Sequence, residues 1–74
     1  MEKLEETTDY EGRQIRRGDI VSPLSHGMRA KISDICIDEL DMVFVQLRPE
    51  HRPTQRGVWH PADRVVKIAA NLKS

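Results

Sequence analysis

The alternation of apolar and polar residues between Met28 and Ile37 constrains the fold of this chain more than any other feature. Met28, Ala30 and Ile32 alternate with polar residues, which places them on one face of a β-strand. At Ile35 and Ile37 the apolar residues move to odd positions, and a β-bulge shifts the phase of a strand in this way. The stretch therefore predicts a long, bulged β-strand with one buried face.

The segments around this strand predict four further short strands. The apolar run Met42–Leu47 follows after the acidic connection Asp38–Asp41, so the two runs form the arms of a hairpin. The remaining strands are predicted at Ile20–Val21, Val58–His60 and Val65–Ile68, and Pro61–Arg64 suits a single 3-10 turn with proline at its start. Short antiparallel strands must cover their edges and bury one face. We therefore predict an all-β fold, a five-stranded antiparallel barrel with a short 3-10 turn before the last strand.

A chain of 74 residues has room for one domain. We predict an acidic flexible tail at 1–9, the barrel at 10–69 and a C-terminal tail at 70–74. Eight aliphatic residues of the predicted strands are expected to share one core. They are Ile20, Val21, Ile32, Ile35, Val43, Val45, Val65 and Ile68.

We expect the chain to carry no signal for export or for a membrane. Its apolar runs are far shorter than the roughly 20 residues of a membrane-spanning helix. Its first residues are acidic, unlike those of a signal peptide. Cys36 has no second cysteine with which to form an internal disulfide. We expect a cytoplasmic protein without a membrane partner.

The predicted elements resemble the small bacterial SH3-like barrel, including its KOW-type variants. Barrels of this kind begin with a glycine turn and a Gly-Asp-aliphatic strand, continue through a hairpin, and end with a proline-led turn into the last strand. The residues that carry the resemblance are Gly12, Ile15, Gly18–Val21, Ala30–Ile37, Met42–Leu47 and Trp59–Val65. The resemblance implies an SH3-like barrel fold for 10–69.

The stretch Trp59–Ile68 also resembles the closing segment of the plasmid-borne type II dihydrofolate reductases, short barrels that work as tetramers around one pore. That resemblance implies a small oligomeric enzyme. In that family a Val-Gln-Ile-Tyr motif lies just ahead of the proline and lines the pore, whereas Gly57–His60 here reads Gly-Val-Trp-His. Because the glutamine and the tyrosine are absent, we predict that this protein does not reduce dihydrofolate.

A second narrow resemblance is to small antirepressor barrels, which bind a transcription factor. It is carried by the spacing of five residues, and it implies a protein partner. These residues are Asp9, Gly12, Ile15, Gly18 and Val21.

The residues that most often bind metals or act as nucleophiles lack supporting patterns. His26, His51 and His60 do not have the spacing of zinc ligands. Cys36 is flanked by isoleucines and nearby acids, which favours a buried structural thiol over a reactive thiolate. The acids of 34–41 lack the spacing and the glycine of a calcium loop. We predict no catalytic residue, no metal site and no cofactor, and a protein that is not an enzyme.

Charge is distributed unevenly along the chain, although the formal net charge is zero. Segments 1–12 and 34–41 are acidic, whereas the basic residues concentrate in 13–31 and 48–64. Zero net charge argues against a general nucleic-acid coat protein. Arginine, which dominates both basic segments, suits carboxylate, phosphate and aromatic groups through its planar fork.

The segment 48–64 is predicted to carry the recognition surface, because binding residues concentrate on loops held by a rigid scaffold. Pro49 and Pro53 limit the freedom of this loop, and Trp59 is a candidate anchor for a partner. In the alternatives, Trp59 fills the core and the arginines only keep the chain soluble, or the surface lies on the other basic segment. The predicted partner-binding residues are Arg48, Arg52, Arg56, Trp59, His60 and Arg64.

These observations favour a non-catalytic binding module that recognises its partner through an arginine-rich loop surface. The partner expected first is a protein, a nucleic acid is the second candidate, and the sequence leaves self-association into a homo-oligomer open. Two alternatives of other classes remain. One is a small oligomeric enzyme resembling the type II reductase, and the other is a structural subunit of a larger assembly.

Overall fold

The structure is a computed structural model that describes residues 1–52 and 54–70. The described residues form eight strands and one short 3-10 turn, and none of their helical segments has the length and apolarity needed to cross a membrane. The strands are β1 (Glu2–Lys3), β2 (Glu6–Thr8), β3 (Gln14–Arg16), β4 (Ile20–Pro23), β5 (Ala30–Ile37), β6 (Val43–Pro49), β7 (Val58–Pro61) and β8 (Val65–Ala69), and the 3-10 turn is Ala62–Arg64. The predicted all-β class, the hairpin and the 3-10 turn before the last strand are confirmed.

All strand pairs are antiparallel. The main sheet has the order β7-β6-β5-β4-β8, with β1 added to β5, and β2 pairs with β3 in a second, two-stranded sheet. The turn Ala62–Arg64 carries the chain away from β7, so that β8 pairs with β4 at the other end of the main sheet. Among the described residues the hydrogen-bonded path is therefore open, whereas the prediction was a closed barrel.

The bulge predicted in the long strand is present. The pairing of β5 with β6 shifts between Ile32 and Asp34, so that Ser33 is the extra residue. The Ser33 hydroxyl lies 3.2 Å from the backbone oxygen of Gln46 and 2.9 Å from its side-chain Oε1. Because of the extra residue, Ile32 and Ile35 both face the core although they are three positions apart in the strand. Each has at most 1% of its surface exposed.

One hydrophobic core lies between the sheets. Five of the eight predicted core residues are buried in it, namely Val21, Ile32, Ile35, Val45 and Val65, and Val43 packs against it. The core also contains Ile15, Ala30, Leu47 and Ala62, which the strand pattern did not select.

Two predicted core residues lie outside the core. Ile20 is half-buried, and Ile68 is 46% exposed. The pairing of β4 with β8 explains Ile68: Ile20 lies opposite Ala69 and Val21 opposite Lys67, so Ile68 is the extra residue of a second bulge. A bulged residue leaves the alternation of its strand, which turns this isoleucine outward.

The N-terminal residues, predicted as a tail, lie in strands β1 and β2. The backbone N–H of Leu4 donates to the carbonyl of Ile35 at 2.9 Å, and the Leu4 side chain packs against the core. The prediction differs because β1 pairs with the distant strand β5, and β2 pairs with β3 in a short hairpin that has no alternating apolar pattern. Of the predicted C-terminal tail, 71–74 lie outside the described residues.

Asp9 joins the N-terminal segment to the last strand. Its carboxylate is buried and accepts hydrogen bonds from three backbone N–H groups, those of Glu11, Arg13 and Lys67, at 2.8–2.9 Å. Burial alone would raise the pKa of Asp9, but these donors and the nearby Arg13 lower the pKa below its ordinary value. The carboxylate thus holds the turn before β3 against β8.

Candidate partner-binding site

The loop 50–57 connects β6 to β7 and is held in place by Arg48. The Arg48 guanidinium Nη1 donates to the carbonyl of Gln55 at 2.8 Å across the loop. Two turn bonds also lie within the loop, from Arg52 N–H to the Pro49 carbonyl at 3.1 Å and from Gln55 N–H to the Arg52 carbonyl at 2.9 Å, and Glu50 N–H donates to the Arg29 carbonyl at 3.4 Å. Pro53, which was expected to stiffen the loop, lies outside the described residues.

The predicted arginines of 48–64 form no ion pair within the part of the chain that the structure describes. Arg48 is half-buried, and Arg52 and Arg56 are exposed on the loop. Arg64 is exposed on the 3-10 turn, so the structure brings three of the four arginines together and places the fourth on another element. Three cationic side chains at one loop form a surface suited to an anionic partner.

The arginines at the start of the other basic segment are paired with acids. Arg13 pairs with Glu11 and Arg16 with Glu6, each at 3.2 Å. Two of the four acids in these pairs, Glu5 and Glu6, come from β2 and the residue just before it. The remaining pairs are Arg17 with Glu5 at 3.0 Å and with Asp34 at 3.6 Å, and Lys3 with Asp34 at 3.5 Å. Exposed pairs of this kind add little stability, but they cancel the positive potential of that face.

A bidentate pair between Arg29 and Glu50 marks the border of the loop. The guanidinium donates through Nε at 2.7 Å and through Nη2 at 3.2 Å. The side-chain hydrogen bond raises the pKa of Arg29 and lowers the pKa of Glu50. The positive charges of His51 and Lys31 add to the lowering at Glu50. The pair joins the start of β5 to the end of β6 and removes both charges from the surface that a partner meets.

Trp59 and His60 point to opposite faces of the sheet. Trp59 lies opposite Gln46 in the ladder and His60 lies opposite Val45, whose side chain is in the core. Residues that lie opposite each other share a face, so Trp59 is on the outer face and His60 is on the core side. With 40% of its surface exposed, Trp59 does not fill the core.

The outer face beside the loop is basic. Lys31 of β5 lies directly opposite Arg48 of β6. Trp59 lies opposite Gln46, two residues from Arg48, and is therefore a diagonal neighbour of Arg48 on the same face. We call Lys31, Arg48 and Trp59 the basic outer face. Lys31 was not among the predicted site residues, because only the cross-strand register places it beside Arg48.

On the core side, His60 lines a cavity of about 240 Å³. Its apolar lining comes from β4, β5, β6 and β7 and from the loop between β4 and β5. The apolar residues are Pro23, Met28, Ala30, Leu47, Pro49 and Val58, and the polar ones are His26, Arg29 and His60. The sequence did not predict this cavity, because the loop between β4 and β5 meets β7 only after the sheet has formed.

The two histidines of the cavity face each other. The ring centroids of His26 and His60 are 6.1 Å apart in an edge-to-face arrangement. The Nδ1 atom of His26 lies 3.4 Å from the backbone N–H of Met28, which donates to it. The Nδ1 atom of His60 is buried and has no hydrogen-bond partner among the described residues.

The chain matches no protein-family model, no curated protein and no solved structure. Its function is therefore argued from the surface and the cavity themselves.

Proposed function

We propose that this protein is a non-catalytic binding module that recognises an acidic segment of a partner protein. An SH3-like barrel displays the recognition surface, which consists of the loop 50–57 and the basic outer face. The strand order β7-β6-β5-β4-β8, with a 3-10 turn between β7 and β8, supports this fold, because the resemblance implies a hairpin core and a proline-led turn before the last strand.

The observation that carries the proposal is the contrast between the two basic segments. Arg48, Arg52 and Arg56 lack an ion pair within the described residues, whereas Arg13 and Arg16 are each paired with a glutamate. Only the first set has charge left to attract a partner. The exposed Trp59 adds an apolar contact at the exit of the loop, and aromatic residues next to arginines are common anchors in protein interfaces.

A protein partner is favoured over a nucleic acid by charge and by shape. The chain as a whole is neutral, which gives little general attraction to a polyanion. An apolar cavity opens beside the loop, and such a cavity accepts a side chain more readily than a phosphate backbone.

The proposal is tested by titrating the protein with a glutamate-rich peptide and, separately, with a single-stranded oligonucleotide. The variant Arg52→Ala/Arg56→Ala should keep its fold and bind the peptide about 10- to 100-fold more weakly, as expected for the loss of two charge-assisted hydrogen bonds. The control variant Arg13→Ala/Arg16→Ala removes the same charge from the paired segment and should bind within about twofold of the wild type.

Salt dependence distinguishes the two kinds of partner. For an acidic peptide, a higher salt concentration should lower the association rate much more than it changes the dissociation rate. Oligonucleotide affinity that exceeds peptide affinity and falls steeply with salt would assign the surface to nucleic acid instead. Equal loss of peptide binding in both arginine variants would show that the loop has no special role.

A further inference from the structure

A groove that carries four charged side chains lies where β5 and β6 run beside the turn between β3 and β4. Its volume is about 400 Å³. The charged residues are Arg17, Lys31, Arg48 and Glu50, and the others are Gly18, Ile32, Ser33 and Pro49. The groove includes two members of the basic outer face and is therefore a different kind of site from the apolar cavity on the core side.

Two of the four charges are balanced by neighbouring residues. Arg17 donates to the carbonyl of Leu4 and to the carboxylate of Glu5, each at 3.0 Å. Glu50 accepts both hydrogen bonds of its bidentate pair with Arg29. Each of these ion pairs has a net charge of zero, so neither Arg17 nor Glu50 gives the groove an excess charge.

The charges of Lys31 and Arg48 are not balanced. Neither side chain forms an ion pair with another described residue, and Arg48 donates to the neutral carbonyl of Gln55. The charge of Lys31 helps to lower the pKa of Glu50, whose carboxylate remains bound to Arg29. The groove therefore contains two positive charges in excess.

The two charges lie close together. Lys31 and Arg48 are directly opposite each other in the ladder, and residues in that position have Cβ atoms about 4.5–5.5 Å apart. Two side chains at this spacing can bind different oxygens of one anion. Carboxylates on the same face of an extended peptide are two residues apart, about 6–7 Å, and match the spacing less well.

The excess charge favours a phosphate monoester over other anions. A phosphorylated side chain carries about −1.5 to −2 charges at pH 7 and has three strong acceptor oxygens, so it can neutralise both cations at once. One carboxylate neutralises only one of them. A phosphodiester of a nucleic-acid backbone also carries a single negative charge.

We infer that this groove binds a phosphorylated side chain of the acidic partner segment, with the phosphate between Lys31 and Arg48. Glu50, which lines the groove, is also the first residue of the loop that carries Arg52 and Arg56, so acids that flank the phosphate lie near these arginines. The inference rests on the proposed function for the flanking acids, whereas the phosphate contact is independent of it.

The groove is tested with three acidic peptides that differ only at the central residue, which is phosphoserine, serine or glutamate. Calorimetric titration of the full chain should show that the phosphoserine peptide binds about tenfold more tightly than the serine peptide and about fivefold more tightly than the glutamate peptide. In NMR titrations, the phosphoserine peptide should shift the side-chain signals of Lys31 and Arg48 more than the serine peptide does.

The variant Lys31→Gln removes one of the two charges from a side chain that has no ion pair among the described residues. It should bind the three peptides within about twofold of one another. The control Arg13→Gln removes the same charge from an arginine that is paired with Glu11 and does not line the groove, and it should keep the tenfold preference. Arg48→Gln should also reduce the preference, but it releases the Gln55 carbonyl as well, so Lys31→Gln is the sharper test.

Two further probes identify other sources of phosphate. Inorganic phosphate and a single-stranded oligonucleotide without a terminal phosphate should both bind more weakly than the phosphoserine peptide. Inorganic phosphate that binds as tightly as this peptide would assign the groove to free phosphate and overturn the inference of a protein segment. An oligonucleotide that binds more tightly would assign the surface to nucleic acid and overturn both the inference and the proposed function.

The remaining outcomes separate the inference from the proposed function. If the phosphoserine peptide binds no better than the serine or the glutamate peptide, or if Lys31→Gln keeps the preference, the phosphate site is wrong and the arginine surface still stands. A fourth peptide keeps the phosphoserine but replaces its flanking acids by glutamine. Equal binding of this peptide and the acidic phosphoserine peptide would retain the phosphate site and overturn the role of Arg52 and Arg56. Binding of none of the probes would overturn both.

Discussion

Lys31 and Arg48 lie directly opposite each other in the ladder between β5 and β6, with no ion pair for either within the described residues. Like charges in directly opposite positions destabilise a sheet by a few tenths to about 1 kcal/mol. The charge of Lys31 helps to lower the pKa of Glu50, but that carboxylate is already engaged by Arg29. A sheet that keeps this repulsion has an unbalanced positive face, which agrees with a role in binding anions.

This relationship predicts a trade-off between stability and binding. Lys31→Glu should raise the free energy of unfolding by about 0.2–1 kcal/mol, because an opposite-charge pair replaces a like-charge pair. The same substitution should weaken binding of the glutamate-rich peptide. Lys31→Gln removes the charge without adding another and should give intermediate values of both. Urea unfolding and peptide titration measure the two effects, and a less stable Lys31→Glu protein would contradict the account.

A second prediction concerns acid unfolding. The pKa of Asp9 in the folded protein lies below its value of about 3.9 in the unfolded chain, so the unfolded chain binds this proton more readily. The stability that Asp9 contributes is therefore complete above that unfolded pKa and is lost as the pH falls through the folded pKa. Asp9→Ala leaves three backbone N–H groups without their acceptor and should cost about 2–4 kcal/mol at pH 7.

The measurement is the free energy of unfolding of both proteins between pH 2 and pH 7. The difference between wild type and Asp9→Ala should shrink toward low pH. A difference that stays constant across this range would show that the carboxylate charge has no part in the stabilisation. Glu11→Ala is the matched control, because within the described residues the interaction of this exposed carboxylate is an ion pair with Arg13.

A third prediction tests the core and the second bulge. Val45 is fully buried, and Val45→Asp places a charge there at a cost of several kcal/mol, which is comparable with the whole stability of a small domain. Ile68→Asp makes a similar change at the outward-facing bulge of β8 and should cost less than about 1 kcal/mol. A cooperative, fully folded Val45→Asp protein would contradict the core assignment, and an unfolded Ile68→Asp protein would contradict the bulge.

The main strands were predictable because their signal is local. Period-two alternation defines β5 and β6, and the change of phase between Ile32 and Ile35 predicted a bulge, which the structure places at Ser33. Strands β1 to β3 have no such pattern, since they are rich in Glu, Thr and Arg. They are held by their backbone ladders and by Asp9, whose partner Lys67 lies 58 residues away.

The site was predictable only in part, for the same reason. Composition identified Arg48, Arg52 and Arg56 as basic residues of one segment. It did not show that ion pairs neutralise Arg13 and Arg16, because those pairs depend on the positions of β2 and of the turn that follows it. Trp59 and His60 were grouped by sequence distance, whereas the pleat of β7 sends them to opposite faces.

A fourth prediction is that the protein does not reduce dihydrofolate. The glutamine and the tyrosine of the reductase motif are absent before Pro61, where Val58 and His60 stand in their place. NADPH oxidation should not depend on added dihydrofolate. Saturable oxidation that is lost on Val58→Ala or Trp59→Ala would overturn this prediction, and the measured oligomeric mass gives an independent check for a tetramer.

The last prediction concerns Gly57, where the loop returns to the sheet. A Cβ atom at this position would lie 2.6 Å from Cγ and 2.8 Å from Cδ of Gln46, which is too close for an undistorted contact. Gly57→Ala should therefore displace the Gln46 side chain, break its hydrogen bond to Ser33, and cost about 1–3 kcal/mol. Gln46→Ala removes the atoms that clash, so Gly57→Ala should cost much less in that background. A double-mutant cycle measured by urea unfolding gives the coupling between the two sites. A coupling near zero would mean that the loop moves away from Gln46 at little cost, and the loop arginines would then not be held in a fixed position.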